Sequence, residues 1–271
     1  TRVDNPMSDE QPVLLNITPG QTAVITLNRP DRHNAFNDEV ISGLTEIFDL
    51  LAKNTDEVRF VILRGAGKSF SAGADLEWMK DQSYNTLDAN REDAQALADM
   101  LYKLYSLPQL TVALVQGAAM GGGAGLVAAC DVAVAVKDTK FRFSEVKLGL
   151  TPATISPFVI RAIGPRWARA LFASGEGFDA QFAHQIGLVQ YVIGSADEFA
   201  GMEEHLASLA FAAAPGAVAD AKTLVHDVAG EEIDHGLMKN LAHRIADRRA
   251  SDEGKEGLAA FLEKRKPRWA E

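Results

Sequence analysis

Apolar and polar residues follow one another along the start of the chain in a pattern that predicts a β-hairpin and then a helix. Val13–Ile17 and Thr22–Leu27 are short runs rich in β-forming residues, and Pro19 and Gly20 between them are typical of a turn. Beyond a polar loop, Asn37 is placed to cap a helix. The apolar residues of that helix recur at the spacing of one buried face: Val40, Ile41, Leu44, Ile47, Phe48 and Leu51. The hairpin and the helix therefore begin a βαβ unit.

Strands and helices continue to alternate as far as about residue 195. The predicted strands lie at residues 60–63, 110–115, 132–136, 140–143 and 188–192, with helices at about 87–105 and 123–130. Helical crossovers between strands indicate an α/β sheet. Beyond this point the sequence predicts only helices, so we divide the chain into an α/β core (11–195) and a helical C-terminal region (196–271). Residues 1–10 are expected to form a disordered leader.

A glycine-rich stretch, QGAAMGGGAGLVAACD at residues 116–131, separates the strand at 110–115 from the one at 132–136. Glycines at the start of a helix leave several N–H groups without an acceptor and bring the positive end of the helix dipole to a bare surface. Such a surface suits an anion or a developing oxyanion. A glycine-rich turn without a ligand fits this stretch equally well when it is considered alone.

Composition restricts the partners of the chain. The net charge of −10 argues against nucleic acid or an anionic membrane surface as a partner, because no broad basic stripe is available. The single cysteine, Cys130, lies in an apolar segment, so we expect no disulfide framework and a reducing, cytoplasmic location. No apolar run approaches about 20 residues, and we expect neither a membrane span nor a secretory signal.

Two nucleotide-binding motifs match the sequence only in part. GAGLVA at residues 123–128 has the form of the dinucleotide fingerprint, but residues 116–122 separate it from its strand, whereas the fingerprint follows its strand at once. Gly67-Lys68-Ser69 resembles the end of a P-loop, but Ile62 stands where that motif needs its first glycine. The six histidines lack metal-type spacing with carboxylates, so we predict no metal site.

A second loop that presents its backbone, KSFSAGAD at residues 68–75, follows the strand at 60–63. Gly73 permits a turn there, and Asp75 can cap a short helix at 76–80. Two neighbouring strands thus each lead into a glycine turn and a helix.

Together these motifs resemble the enoyl-CoA hydratase/isomerase (crotonase) family. The resemblance depends on four segments in the family's order and spacing: NRPDRHNAF at 28–36, KSFSAGAD at 68–75, MGGGAG at 120–125 and FSEVKLGLTP at 143–152. It implies an α/β fold, a spiral of ββα units with a helical trimerisation region. It also implies an enzyme that acts on acyl-CoA thioesters, as a homotrimer or a dimer of trimers, with no cofactor besides the CoA of its substrate.

The resemblance also implies the residues of the site. The family holds the thioester oxygen with two backbone N–H groups, which correspond here to Ala74 and Gly122, and an enolate needs two such donors about 3 Å from its oxygen. The residues that correspond to the family's contacts with CoA and substrate are Arg29, His33, Ala35, Ala72, Asp75, Leu76, Gly121 and Gly125. Phe261 and Lys264 are further candidates, for the 3′-phosphate of CoA and from a neighbouring subunit. A solvated helix end is the alternative for those two.

Hydratases of the family use two glutamates, and this chain has only the later one, Glu145. Gly125 stands at the position of the earlier one. A single carboxylate could shuttle a proton between carbons, as isomerases of the family do, or deliver a proton to Cα while other groups position water. A surface carboxylate that caps a helix is the structural alternative for Glu145.

Two segments resemble one branch of the family in particular. GGGAGLVAACD and SEVKLGLTPATISPFVIRAIG look like the bacterial 3-methylglutaconyl-CoA and isohexenylglutaconyl-CoA hydratases of leucine and acyclic terpene breakdown. This implies hydration of a branched 2-enoyl-CoA with an extra carboxylate, for which Lys80, Arg91 and Lys147 are candidate cations. The alternatives are a Δ3,Δ2-enoyl-CoA isomerase and a catalytically weak acyl-CoA-binding protein.

Overall fold

The fold alternates strands and helices, as the sequence predicts. The structure is a computed structural model that describes residues 11–271, so the leader predicted for residues 1–10 lies outside the described residues. The strands are β1 (Val13–Ile17), β2 (Thr22–Leu27), β3 (Phe60–Gly65), β4 (Leu110–Val115), β5 (Ala118–Met120), β6 (Val132–Val136), β7 (Lys140–Arg142), β8 (Gly177–Asp179) and β9 (Tyr191–Ile193). The helices are α1 (Asp38–Lys53), α2 (Leu76–Gln82), α3 (Leu87–Tyr105), α4 (Gly122–Ala129), α5 (Ser156–Ser174), α6 (Ala180–Gln185), α7 (Phe199–Ala212), α8 (Pro215–Val228), α9 (His235–Ala250) and α10 (Asp252–Leu262).

Two sheets organise the core. The larger has six strands in the order β1-β2-β3-β4-β6-β9, in which β1 is antiparallel to β2 and the other neighbours are parallel. The smaller has three strands in the order β5-β7-β8. From β2 onward, the successive strands of the large sheet are parallel and joined through helices, so their carboxyl ends share one edge. The loop at residues 68–75 follows β3 at this edge, and β5 with the start of α4 follows β4.

The apolar pattern explains how the layers form. The inner strands alternate their side chains between two clusters. In β3, Val61 and Leu63 face the larger core, whereas Phe60 and Ile62 face a smaller cluster that α7 covers. All six apolar residues predicted for α1 are buried, and the Asn37 side chain accepts a hydrogen bond from the Val40 N–H at 3.1 Å. The helix and its cap are therefore confirmed.

The last strand differs from its prediction. The run at 188–192 was expected to be a strand, but β9 begins only at Tyr191. Leu188 and Val189 are buried in the core, yet their N–H groups donate to the Ala183 carbonyl at 2.9 and 3.3 Å. Burial made these residues look like part of a strand, whereas their hydrogen bonds close the turn that follows α6.

Arg59 joins the helical C-terminal region to the core. Its guanidinium donates to four carbonyl groups, at 3.3 Å to Ala210, 3.1 Å to Phe211, 2.8 Å to Ala213 and 2.6 Å to Trp269. Helices α8 and α9 bury none of their residues within the described chain. No helix formed by residues 11–271 is both long and apolar enough to span a bilayer.

Candidate active site

The two loops that present their backbones lie side by side. The Ser71 N–H donates to the Ala118 carbonyl and the Met120 N–H donates to the Ser71 carbonyl, each at 3.0 Å, so the loop at 68–75 pairs with β5. A Cβ on Gly73 would lie 2.6 Å from the Met120 carbonyl oxygen, and φ at Gly73 is +82°. Only glycine allows this approach and this turn. The same Cβ would lie 3.4 Å from the Gly122 nitrogen, which shows how close the loops come.

Two backbone N–H groups are left free where the loops meet. Phe36 pairs with both neighbours of Ala74, since its N–H donates to the Gly73 carbonyl at 2.7 Å and its carbonyl accepts from the Asp75 N–H at 2.9 Å. Successive N–H groups of an extended segment point in opposite directions, so the Ala74 N–H points away from Phe36. Helix α4 begins at Gly122, whose N–H has no intrahelical acceptor. Neither N–H has a hydrogen-bond partner within residues 11–271.

The free donors are also the accessible ones. Ala74 is partly exposed between the buried residues Gly73 and Asp75. Gly122 is likewise partly exposed, and the glycines on both sides of it are buried. A ligand can therefore reach the main chain at these two peptide groups, whereas the residues on either side of each are buried.

Glu145 lies next to this pair of donors. It begins a 3-10 turn (Glu145–Leu148), and a Cβ on Gly121 would lie only 3.0 Å from its Oε1. Gly121 has φ +48° and ψ −118°, a conformation that glycine adopts far more readily than other residues. The Glu145 Oε2 is buried, and the described residues provide no hydrogen-bond partner for it. Burial raises the pKa of Glu145, while a hydrogen bond from its own N–H opposes the shift.

An isoleucine covers the position where hydratases of the resembled family carry their other glutamate. The Gly125 N–H donates to the Gly121 carbonyl at 3.0 Å, so Gly125 lies one helical turn farther along α4. A Cβ on Gly125 would lie 3.0 Å from the Ile155 Cβ, closer still to its Cγ2, and 3.8 Å from the Leu101 Cδ2. Ile155 is only 1% exposed. This wall of the site is therefore apolar.

An ion pair links the loop at 28–36 to the loop at 68–75, which carries the Ala74 N–H and is called the donor loop here. Arg29 Nη1 donates to the Ala35 carbonyl at 2.6 Å, and Nη2 donates to Asp75 at 3.0 Å. The other carboxylate oxygen of Asp75 accepts from the Glu77 N–H at 3.0 Å, so Asp75 is the predicted cap of α2. Burial alone would raise the pKa of Asp75, but the hydrogen bonds from Arg29 and from the α2 main chain outweigh it and hold the pKa below its usual value.

The other residues predicted to contact CoA lie around this link. His33 is exposed in a left-handed conformation, its carbonyl accepts from the Ala72 N–H at 2.9 Å, and its Nδ1 lies 3.1 Å from the Ser69 Oγ. Ala72 is exposed, and Leu76 is 70% exposed. The structure thus gathers the predicted contacts from Arg29 to Leu76 beside Ala74.

The two C-terminal candidates are not joined to the donor loop within the described chain. Phe261 is 81% exposed at the end of α10, and Lys264 follows in a left-handed conformation. Helix α10 packs on α9, and its Gly257 lies against the Trp269 ring. Among residues 11–271, no hydrogen bond or ion pair connects Phe261 or Lys264 to the loop at 68–75. Their part in CoA binding stays a prediction that involves a neighbouring subunit.

The three candidate cations for a distal carboxylate have different surroundings. Arg91 pairs with Asp88 at 3.2 Å on the exposed face of α3. Lys80 is exposed in the last turn of α2. Lys147 lies on the same 3-10 turn as Glu145, with its stem against Gly175. Of the three candidate cations, Lys147 is therefore the one that shares a secondary-structure element with Glu145.

Three residues of the site were missed by the sequence reasoning. The Ser71 Oγ donates to the Asn34 carbonyl at 2.9 Å and accepts from the Gly73 N–H at 3.2 Å, which fixes the donor loop from within. Phe36 and Ile155 pack on the glycines of α4. A large apolar residue at the end of the polar loop was a usable signal for Phe36, whereas Ile155 could be found only from its contact.

Comparisons with known proteins identify the family to which the chain is similar. The family model described as enoyl-CoA hydratase/isomerase matches residues 18–271. A Thermus thermophilus protein assigned as an enoyl-CoA hydratase is 34% identical over 260 residues, which cover 94% of this chain and all of that protein. A crystal structure from Legionella pneumophila, assigned as an enoyl-CoA hydratase/isomerase (crotonase), has a TM-score of 0.89 and 44% identity over 96% of this chain and 99% of that one. An enoyl-CoA hydratase structure from Shewanella pealeana has a TM-score of 0.91 and 37% identity, and the match covers 95% of this chain and 96% of that one.

The chain therefore belongs to the enoyl-CoA hydratase/isomerase family. The spiral crotonase fold implied by the four sequence segments is confirmed with it.

Proposed function

We propose that this protein is a hydratase that adds water across the 2,3 double bond of a branched 2-enoyl-CoA with an extra carboxylate. The observation that carries the proposal is the pair of N–H groups at Ala74 and Gly122, which have no partner among residues 11–271 and lie beside the partly buried carboxylate of Glu145. Donors of this kind suit an oxygen that becomes negative during the reaction. Membership of the family supplies the thioester as the group that carries this oxygen.

The donors act on the thioester oxygen. As the oxygen of water bonds to C3, the electrons of the C2=C3 bond move toward the thioester and an enolate forms, whose oxygen accepts from Ala74 and Gly122. Both donors belong to main chain that is already fixed by hydrogen bonds, so little reorganisation accompanies the reaction. Removing one donor of this type typically lowers turnover by about 100- to 1000-fold.

Glu145 transfers the protons. It takes a proton from the attacking water and returns a proton to C2 when the enolate collapses, so that one water is added and the carboxylate is regenerated. Burial, which raises the pKa of Glu145, brings the group closer to the range in which it can both accept and donate a proton near neutral pH. The absence of a fixed partner on Oε2 within the described chain leaves that oxygen available for this exchange.

Exposed apolar residues support the assembly that the resemblance implies, a homotrimer or a dimer of trimers. Val225, Ile245 and Leu258, on α8, α9 and α10, are each more than half exposed. Such residues on three consecutive helices are suited to contact with further copies of the chain. In the assembly, Phe261 and Lys264 would reach the CoA of a neighbouring subunit.

The single thiol is consistent with the reducing, cytoplasmic location proposed for the enzyme. Burial raises the pKa of the Cys130 thiol far above its usual value, which makes this group a poor nucleophile.

A Δ3,Δ2-enoyl-CoA isomerase is the second candidate, and Ile155 is the observation that favours it. Ile155 covers Gly125, and α4 itself (Gly122–Ala129) contains no carboxylate that could act together with Glu145. One carboxylate is enough to move a proton between C4 and C2 of a 3-enoyl thioester, and no water is added.

Incubation in ¹⁸O-labelled water separates the two candidates. The panel contains a branched 2-enoyl-CoA with a distal carboxylate, the same compound as its methyl ester, and a 3-enoyl isomer. We expect ¹⁸O in the product of the carboxylated 2-enoyl-CoA and a lower kcat/KM for the ester. If only the 3-enoyl isomer is converted, and without uptake of ¹⁸O, the protein is an isomerase. If the carboxylated substrate and its methyl ester react at equal rates, the substrate's distal carboxylate is not recognised.

Glu145→Gln tests the proton carrier in the same assay. We expect turnover to fall by about 100-fold or more while CoA esters still bind, since the amide keeps the shape but cannot exchange the proton. Glu57→Gln is the matched control, because Glu57 is exposed on the surface of the core. Equal activity of Glu145→Gln and wild type would contradict the mechanism. Equal inactivity of both on the whole panel, with CoA esters bound, would instead indicate an acyl-CoA-binding protein.

A further inference from the structure

Phe36 touches both loops that carry the free N–H donors. Its main chain holds the donor loop, with the two hydrogen bonds to Gly73 and Asp75 on either side of Ala74. Its ring lies on the glycine stretch, since a Cβ on Gly122 would lie 2.8 Å from the Phe36 Cε2 and 3.1 Å from its Cδ2. One residue therefore contacts the first donor through its backbone and the second through its side chain.

Ser71 also connects the two loops, through the residues next to the donors. Its main chain pairs with Ala118 and Met120, a Cβ on Gly123 would lie 2.6 Å from its carbonyl oxygen, and its Oγ accepts from the Gly73 N–H at 3.2 Å. These contacts involve the neighbours of Ala74 and Gly122. Phe36 supplies the contact at the donors themselves, and it is 1% exposed, so its ring is held in place by the core.

The chemistry of the ring suits this role. An aromatic side chain has two rotatable bonds and a rigid body, so it fixes a distance better than a flexible aliphatic chain of similar volume. Donors of an oxyanion site must be held within about 0.5 Å of their productive positions to be effective. A shorter side chain at position 36 would leave a gap against Gly122 and allow α4 to move toward the loop at 68–75.

We infer that Phe36 is a positioning residue that sets the spacing between the Ala74 and Gly122 N–H groups. The inference rests on the proposed function, because it assumes that both groups bind the thioester oxygen. The Phe36 ring carries no group that can donate, accept or exchange a proton. Its effect is exerted through Gly122 on one side and through the peptide groups around Ala74 on the other.

A chromophoric probe reports the donors independently of turnover. The absorption of cinnamoyl-CoA moves to longer wavelength when its thioester carbonyl is polarised by hydrogen bonds. We expect a red shift with wild type and a smaller one with Phe36→Leu, together with a fall in kcat of about 10- to 100-fold. KM should change by less than about threefold, because the CoA contacts remain.

Phe60→Leu is the matched control. Phe60 is also a fully buried phenylalanine, but it belongs to the smaller apolar cluster on the other face of the large sheet. Both leucine variants should lose thermal stability, whereas Phe60→Leu should keep the wild-type red shift and kcat. If Phe36→Leu keeps the full red shift and kcat, or loses them only as much as Phe60→Leu does, the positioning role is wrong.

A double-mutant cycle tests the contact with Gly122 directly. Gly122→Ala places a methyl group against the ring, and Phe36→Leu makes room for it. We expect the double variant to retain more kcat than the product of the two single effects, since residues in contact are not additive. Strict additivity would show that the ring does not act through Gly122.

The two proposals can fail separately. A red shift in wild type without turnover of any enoyl-CoA would leave the donors and Phe36 in place and remove only the hydration. Turnover in wild type without a red shift would show that the two N–H groups do not polarise the thioester. In that case the role of Phe36 fails, and the donors are removed from the mechanism.

Discussion

Gly121 and Gly125 lie one turn apart at the start of α4, and the space that each leaves is filled in opposite ways. The Glu145 carboxylate lies over Gly121, and its Oε2 has no partner among the described residues. The buried side chain of Ile155 lies over Gly125. One glycine makes room for a charged group and the other for a branched apolar one. The comparison teaches that a missing side chain defines a space, while a distant part of the sequence decides what chemistry fills it.

Placing a charge over the second glycine is expected to have the largest effect. Gly125→Glu would press a Cβ against Ile155 and bring a carboxylate among buried apolar groups, so overpacking and an unpaired charge both oppose folding. We expect the free energy of unfolding, measured with urea, to fall by about 3 kcal/mol or more. The double variant Gly125→Glu/Ile155→Gly should be more stable than the sum of the two single losses predicts, because the smaller residue relieves the overpacking. A single variant as stable as wild type would show that Ile155 does not exclude a carboxylate.

Adding a methyl group at the first glycine should mainly affect catalysis. Gly121→Ala places its Cβ 3.0 Å from the Glu145 Oε1 and forces alanine into a conformation that is costly for it. We expect kcat to fall by about 100-fold, since the carboxylate and the adjacent Gly122 N–H are both displaced. Gly201→Ala is the control, because a Cβ at Gly201 in α7 meets no atom within 4 Å. Wild-type turnover in Gly121→Ala would mean that the placement of Glu145 over this glycine is unimportant.

The smallest expected effect is on stability at neutral pH. A carboxyl whose pKa is raised on folding binds more protons in the folded than in the unfolded state, so its contribution to stability falls as the pH rises through the unfolded and then the folded pKa. Glu145→Gln removes this penalty. We expect its free energy of unfolding to exceed that of wild type by about 1 kcal/mol or less at pH 7. The gain should vanish below about pH 4, where the glutamate is protonated in both states. A variant less stable than wild type at pH 7 would contradict the burial of an unpaired charge.

Local signals predicted most of the fold. Asn37 and Asp75 cap α1 and α2 as expected, because a cap depends on residues two or three positions away. Strands β5 and β8 were missed, since each has three residues and depends on partners from other parts of the chain. Leu188 and Val189 were assigned to a strand because burial in a turn and burial in a strand select the same residue types.

The site was predictable where it consists of backbone. Gly73 and Gly122 identified the two loops, because a main chain approaches closely at Gly73 and the Phe36 ring occupies the space of a side chain at Gly122. The sequence also showed that a carboxylate was missing at Gly125. It could not show that Ile155 fills the space, since this contact joins residues of α4 to the residue before α5 and leaves no periodic pattern.

Arg59 has a consequence for how the chain is made. Its guanidinium reaches Trp269 across 210 positions of sequence and also holds the carbonyls that end α7. During synthesis the strand that follows Arg59 emerges early, whereas Trp269 is added 210 positions later. The nascent core therefore carries a guanidinium that lacks several of its carbonyl acceptors until the C-terminal helices and Trp269 have been made.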